Sequence, residues 1–355
     1  MKAWQLDGLG GELRLRDVRT PDPRPGSVLV RIEASALMSY LKAYVEGKLP
    51  VYHPPPGRFT IGTNGVGVVE AVGRDVWHIR PGQRVVLSSH FVAAENVEDP
   101  AQVLIGLTSS PDAAQVLADW PDGTLAEYAL MPVEAVTPAE GLDELDAAQL
   151  VTIGRCIIPF GGLLRGRLAA GETLVVNGAT GAYGTAAVLL GVAMGAARVI
   201  AAGRNQAALD AVARAGGPRV LTVKLTGDAQ KDARQLRAVS DGGAHMAFDM
   251  VGQARDPNST LAALHSLRRG GRLVLMGSMT TDLSIPYTTV MLNSWEIVGQ
   301  FMYPASAYRR LLELLRSGLL DIRAIRPRVY PLAALPEAME AAATAGNLEC
   351  IVMQP

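Results

Sequence analysis

Val175-Val176-Asn177-Gly178-Ala179-Thr180-Gly181-Ala182-Tyr183-Gly184 runs from a β-branched pair into three glycines, with two residues between each and the next. A turn of this kind leaves a strand and opens a helix. The first backbone N–H groups of that helix have no partner within it, and with no Cβ in the way they can close on a pyrophosphate. A glycine pattern alone would equally suit a structural turn, so the flanking sequence has to decide. Leu174–Val176, Ala197–Ala202, Val220–Val223, Met246–Asp249, Arg272–Met276 and Glu296–Val298 read as short apolar strands. Helical segments at Gly184–Met194, Gln206–Ala215, Ala229–Ser240 and Leu261–Leu267 alternate with them. The alternation predicts an α/β fold, a doubly wound parallel sheet of Rossmann type. Asn177, Gly178, Ala179, Thr180, Gly181, Ala182, Tyr183 and Gly184 then form the predicted cofactor loop.

At the end of the second strand stands Gly203-Arg204-Asn205. An acidic residue there would read ribose hydroxyls and repel a 2′-phosphate, whereas a glycine leaves room and an arginine supplies a guanidinium fork. NADPH is the predicted cofactor. The competing reading of Arg204 is a solvated side chain at a turn.

On the N-terminal side the texture changes. Val28–Ile32, Gly65–Val72, Arg84–Leu87 and Ala126–Met131 are β-rich runs between turn signals, with Pro21–Pro25 and Pro54–Pro56 as loops. Asn96–Gly123 reads as a long polar excursion with a short helix near Ala113–Leu117. Beyond the parallel unit come an amphipathic helix at Tyr308–Ser317, a strand at Arg328–Tyr330 and a final helix.

Composition narrows the function classes. The 33 basic and 34 acidic residues of the 355 nearly cancel, and no block of like charges offers a footprint for nucleic acid or anionic lipid, so the expected partner is a small molecule. Two cysteines, Cys156 and Cys350, are too few for a disulfide framework and fit a cytoplasmic protein. Thr173–Ala197 is uncharged for membrane length, but its glycines and Asn177 argue against a span.

The whole chain resembles the medium-chain dehydrogenase/reductase superfamily of alcohol dehydrogenases and quinone oxidoreductases. The resemblance rests on Met1-Lys2-Ala3, Pro25-Gly26-Ser27-Val28, Gly65-Val66-Gly67-Val68-Val69, Pro81-Gly82-Gln83-Arg84-Val85, the glycine loop, Phe248-Asp249-Met250-Val251-Gly252 and Gly270-Gly271-Arg272-Leu273-Val274. It implies a GroES-like catalytic domain at 1–148 and 303–355, with a Rossmann domain inserted at 149–302. It also implies cofactor contacts at Val251, Gly252, Gly277, Ser278, Phe301 and Tyr303, and a homodimer joined through the strand near Glu296–Val298.

Departures from the family pattern are as telling. Zinc-dependent members carry a cysteine where Met38 stands, a His-Glu pair where Thr63-Asn64 stands, and a third ligand near Thr152. A thioether and neutral hydroxyls do not replace thiolate and imidazole, and the structural-zinc cysteines of the family are missing too, so no metal is expected. Tyr40 falls at the family's proton-relay hydroxyl, with Tyr44 one helical turn on. Either phenol could donate to a substrate oxygen or simply wall the pocket. His53, and after it His90, border the cleft in the family. Tyr183 replaces a usually smaller residue.

Without a Lewis acid, reduction of a conjugated C=C is less demanding than reduction of an isolated ketone, because charge spreads onto an oxygen that hydrogen-bond donors can hold. The expectation is an NADPH-dependent, zinc-independent reductase of α,β-unsaturated carbonyl compounds or quinones. A zinc-independent carbonyl reductase or alcohol dehydrogenase, and a non-catalytic nucleotide-binding protein, are the alternatives.

Overall fold

The computed structural model describes residues 1–355. Six parallel strands, Thr173–Asn177, Arg198–Gly203, Val220–Lys224, Ala244–Asp249, Leu267–Leu275 and Glu296–Gly299, make one sheet. Counted from Thr173–Asn177, their spatial order is 3-2-1-4-5-6. This order puts the first βα turn at the point where the chain reverses direction across the sheet, which is where ligands bind in such folds. Leu174, Val175 and Val176 are fully buried because helices cover both faces, so apolar side chains need not alternate with polar ones. Thr173–Ala197 is thereby divided into a strand, the glycine turn and a helix at Ala182–Ala193. Leu267 begins a strand, where the sequence suggested the end of a helix.

Ser27–Ala36 is the central strand of the second, seven-stranded sheet. Its ten residues are long enough to pair with Gly65–Val72 on one side and with both Tyr128–Pro132 and Glu349–Gln354 on the other. Glu349–Gln354 was not anticipated as a strand. Cys350, Ile351, Val352 and Met353 are all fully buried there, between Ser27–Ala36 and Arg326–Pro331. The last fifty residues thus complete a sheet begun by the first seventy. Asn96–Gly123 also differs from the expected polar loop. Gln102–Leu104 and Thr108–Ser109 join His90–Val92 in a small sheet, with Val103, Ile105 and Leu107 buried, before a helix at Ala114–Asp119.

The helix Gly154–Arg165 ties the two sheets together. Ile157, Phe160 and Leu163 belong to one apolar core that extends from Val66 and Val86 to Val176 and Val188. The helical stretch Ala147–Arg165 is apolar and long enough to cross a membrane, but 78% of its most apolar window is buried inside the fold.

Candidate functional site

The carboxyl ends of the central parallel strands open on a groove of about 600 Å³. Gly178, Thr180, Gly181, Gly203 and Arg204 line one side, and Val251 and Gly252 the other. The three loop glycines are there for three different reasons. Gly178 has φ +80°, a left-handed conformation that side chains resist. A Cβ on Gly184 would lie 2.0 Å from the Gly178 carbonyl oxygen, so the helix can approach the turn only without one. Gly181 is exposed and has nothing closer than 3.5 Å to a built Cβ. No packing demands a glycine there; its N–H donates to the Gly178 carbonyl at 3.0 Å, and the missing side chain leaves the groove side of the turn open for a phosphate to approach the helix N-terminus. Ala179 is buried, its N–H donating to the Ala202 carbonyl, and Ala182 starts the helix. The cradle fits a dinucleotide.

Asp249 fixes the opposite wall. Its carboxylate accepts from the Thr260 hydroxyl, from the Val251 N–H at 2.9 Å and from Asn177 Nδ2 at 3.3 Å, while burial holds its pKa above the ordinary value. Asn177 therefore spends its side chain on Asp249 as it lines the groove. Gly277 packs against the same turn, where a Cβ would lie 2.0 Å from the Val251 carbonyl oxygen, and Ser278 beside it is exposed.

At the second strand end, Arg204 is exposed and lines the groove. Gly203 has a packing reason too, since a Cβ there would lie 2.7 Å from Thr180 Cγ2. Asn205 is a correction: its Oδ1 accepts from the Ala208 N–H at 3.1 Å, capping the helix Gln206–Gly216, and it does not line the groove. Arg255, which the sequence reading missed, is exposed on the groove's other wall.

A second pocket, about 30 Å³, lies where Leu37–Ser39, Thr63–Asn64, Gly154–Arg155 and Ala182–Tyr183 meet. That is room for a water-sized group. The glycine loop and the seven-stranded sheet come together here, which places Tyr183 from the loop beside Met38 and Ser39. Thr152 is absent from this pocket: it is fully buried, with its hydroxyl donating to the Gln149 carbonyl at 2.8 Å. Arg155 reaches the pocket instead. A thioether, a hydroxyl, an amide and a guanidinium do not make a zinc ligand set, and no group of three His, Cys, Asp or Glu side chains occurs anywhere in the chain.

Tyr40 is half-buried just before the short helix Leu41–Val45, with its ring 6.0 Å from that of Tyr52. Burial and the neighbouring phenols of Tyr183, Tyr52 and Tyr44 hold its pKa well above 10, so it is a proton-bearing donor. Tyr44 is a correction: it is fully buried and its hydroxyl donates to the Leu107 carbonyl, which makes it a core residue. His53 is also displaced from the chemistry. Its ring is exposed, while its backbone N–H donates to Thr108 Oγ1 and its carbonyl accepts from Ser109. His90 is buried against Gln102, with Nε2 at 3.0 Å from Oε1, and burial lowers its pKa. Phe301 is exposed. Tyr303, expected beside the cofactor, is buried, with its hydroxyl 2.9 Å from Ser88 Oγ and its ring against His90 and Tyr308. It braces the junction of the two sheets and lines no part of the groove.

Residues 24–141 match the family described as alcohol dehydrogenase GroES-like domain, and residues 182–317 match zinc-binding dehydrogenase. An alcohol dehydrogenase of Moraxella sp. (strain TAE123) is 28% identical over 319 residues, covering 90% of this chain and 89% of that protein. An NAD-dependent alcohol dehydrogenase of Sulfurisphaera tokodaii is 25% identical over 100% of this chain and 99% of its own length. Among solved structures, a candidate zinc-binding dehydrogenase of Sinorhizobium meliloti 1021 bound to NADP superposes with a TM-score of 0.78 at 20% identity, covering 100% of this chain and 99% of that one.

Proposed function

Since the chain belongs to the medium-chain dehydrogenase/reductase superfamily, we propose that it is an NADPH-dependent oxidoreductase working without zinc on α,β-unsaturated carbonyl compounds or quinones. One observation carries the reading: Met38, Thr63 and Asn64, at positions compared with zinc ligands, line the pocket together with Arg155, and none of the four side chains is of a zinc-binding type. The dihydronicotinamide, when bound, supplies a hydride and is itself oxidised to the nicotinamidium. The substrate's β-carbon gains that hydride, the C=C pair moves to the Cα–carbonyl bond, and the carbonyl π pair moves onto oxygen as an enolate. A proton from solvent then reaches Cα and the carbonyl reforms. The first N–H groups of the loop helix would hold phosphates in the space Gly181 leaves open, Arg204 would take the 2′-phosphate, and Tyr40 would donate to the substrate oxygen.

We assign 1–148 and 303–355 to the catalytic domain and 149–302 to the cofactor domain. The pairing of Glu349–Gln354 with Ser27–Ala36 supports that division. The two buried, free thiols of Cys156 and Cys350 support a cytoplasmic protein. Loss of NADPH absorbance over a panel of enones, quinones and aldehydes tests the reading. Turnover of enones or quinones is the expected result; turnover of aldehydes alone would make the protein a carbonyl reductase. Tight NADPH binding with no turnover on any of them would make it a nucleotide-binding protein.

A further inference from the structure

Arg155 is the one charged residue between Ala147 and Leu164, and it is only 7% exposed. An arginine buried to that degree ordinarily meets a carboxylate, because a desolvated charge without a partner is costly. Arg155 has none. Its Nη1 is buried without a hydrogen-bond partner, and the titratable groups beside the guanidinium are the thiol of Cys350, which it contacts, the thiol of Cys156 and the Tyr183 phenol, with no carboxylate among them. The same guanidinium faces the pocket it shares with Met38, Thr63 and Asn64.

Asn64 is the second half of the arrangement. Tyr308 donates its hydroxyl to Asn64 Oδ1 at 3.1 Å, which fixes the amide with its NH2 group toward the helix that carries Arg155. A Cβ on Gly154 would come within 3.2 Å of that Nδ2, so the glycine is what lets the helix sit so close. A buried cation and an oriented amide then converge on a space the size of one oxygen atom with its hydrogens. Both are donors, and neither can accept a proton at working pH.

We propose that Arg155, with Asn64 beside it, binds an anionic oxygen of the substrate in the place where zinc-dependent relatives put their metal. The inference deepens the reductase reading and rests on it for the identity of that oxygen: the enolate oxygen that forms as hydride arrives, or a carboxylate the substrate already carries. A guanidinium that stays desolvated before the reaction needs no reorganisation when charge appears, which is the condition under which such groups lower a barrier most.

Arg155→Met and Arg155→Lys test it. Replacing a buried unpaired charge by an apolar side chain of similar length leaves stability unchanged or raises it, so the Met variant should fold and keep its NADPH affinity. Acetate, compared with chloride at equal ionic strength and with neutral acetamide, is the probe. It should raise Tm of the wild-type protein and of Arg155→Lys, and not that of Arg155→Met. With an uncharged enone, Arg155→Met should lower kcat by roughly a hundredfold, as for loss of an oxyanion donor. A rise in KM confined to carboxylate-bearing enones would instead assign the cation to a permanent carboxylate. Equal acetate responses in wild type and Arg155→Met, or turnover of uncharged and carboxylate-bearing enones alike by Arg155→Met within about twofold of wild type in both constants, would overturn the proposal while leaving the reductase reading intact. An acetate response that depends on Arg155 in a protein that reduces nothing would do the reverse.

Discussion

Arg204 and Tyr40 carry the chemistry most open to single substitutions. A charge-assisted contact to phosphate contributes about 1.5–3 kcal/mol, so Arg204→Ala should weaken NADPH by roughly tenfold to a hundredfold and leave NADH nearly unchanged. Cofactor titrations by fluorescence decide it, and equal losses for both cofactors would mean that Arg204 serves the fold. Tyr40 bears its proton at neutral pH as any phenol does, and its surroundings raise its pKa further. Tyr40→Phe should therefore retain NADPH affinity and lower kcat by roughly tenfold or more if the hydroxyl donates in the transition state; unchanged steady-state constants would leave it a wall. At this scale the sequence was read unevenly. The groove glycines stand out because backbone demands show directly in composition. Tyr44 misleads because helical spacing from Tyr40 says nothing about which face is buried, and the five-residue helix turns that ring into the core. Arg155 belongs to no motif. Its signal was a single charge in an otherwise uncharged run, which is unusual for a helix that packs on both sides.

The glycine turn separates ligand from scaffold at the scale of the element. Gly181→Ala meets nothing closer than 3.5 Å and should fold normally while binding NADPH more weakly, because the new methyl faces the groove. Gly184→Ala would bring a Cβ to 2.0 Å from the Gly178 oxygen, so the helix has to move, at a cost of ~1–3 kcal/mol. Thermal melts together with cofactor titration distinguish the two. A stability loss at Gly181, or none at Gly184, would contradict this assignment. Strands covered on both faces, such as Thr173–Asn177, were legible as apolar runs bounded by turns. Glu349–Gln354 is just as apolar, yet at the end of the chain no following turn marks it. Only its pairing with Ser27–Ala36, more than 300 residues away in sequence, identifies it as a strand.

At the scale of the whole molecule, the helix Tyr287–Asn293 presents apolar side chains that the fold does not use. Tyr287, Met291 and Leu292 on the helix Tyr287–Asn293 are 57–80% exposed, and none of that helix's residues is buried. The helix leads directly into Glu296–Gly299, the edge strand of the parallel sheet. Exposed apolar groups beside an open strand edge favour a second copy of the chain. Leu292→Glu should therefore turn a dimer into a monomer by light scattering, and a wild-type protein that is already monomeric at micromolar concentration would refute the homodimer.

The chain length, the helix–strand rhythm and the glycine loop carried the architecture, but the metal question turned on residues brought together from four separate segments. The direct test is the metal content of protein purified without added metal, measured together with NADPH-dependent turnover before and after chelation. The account predicts substoichiometric zinc and turnover that chelation leaves unchanged. About one zinc per chain, with activity lost on its removal and restored on its return, would contradict it.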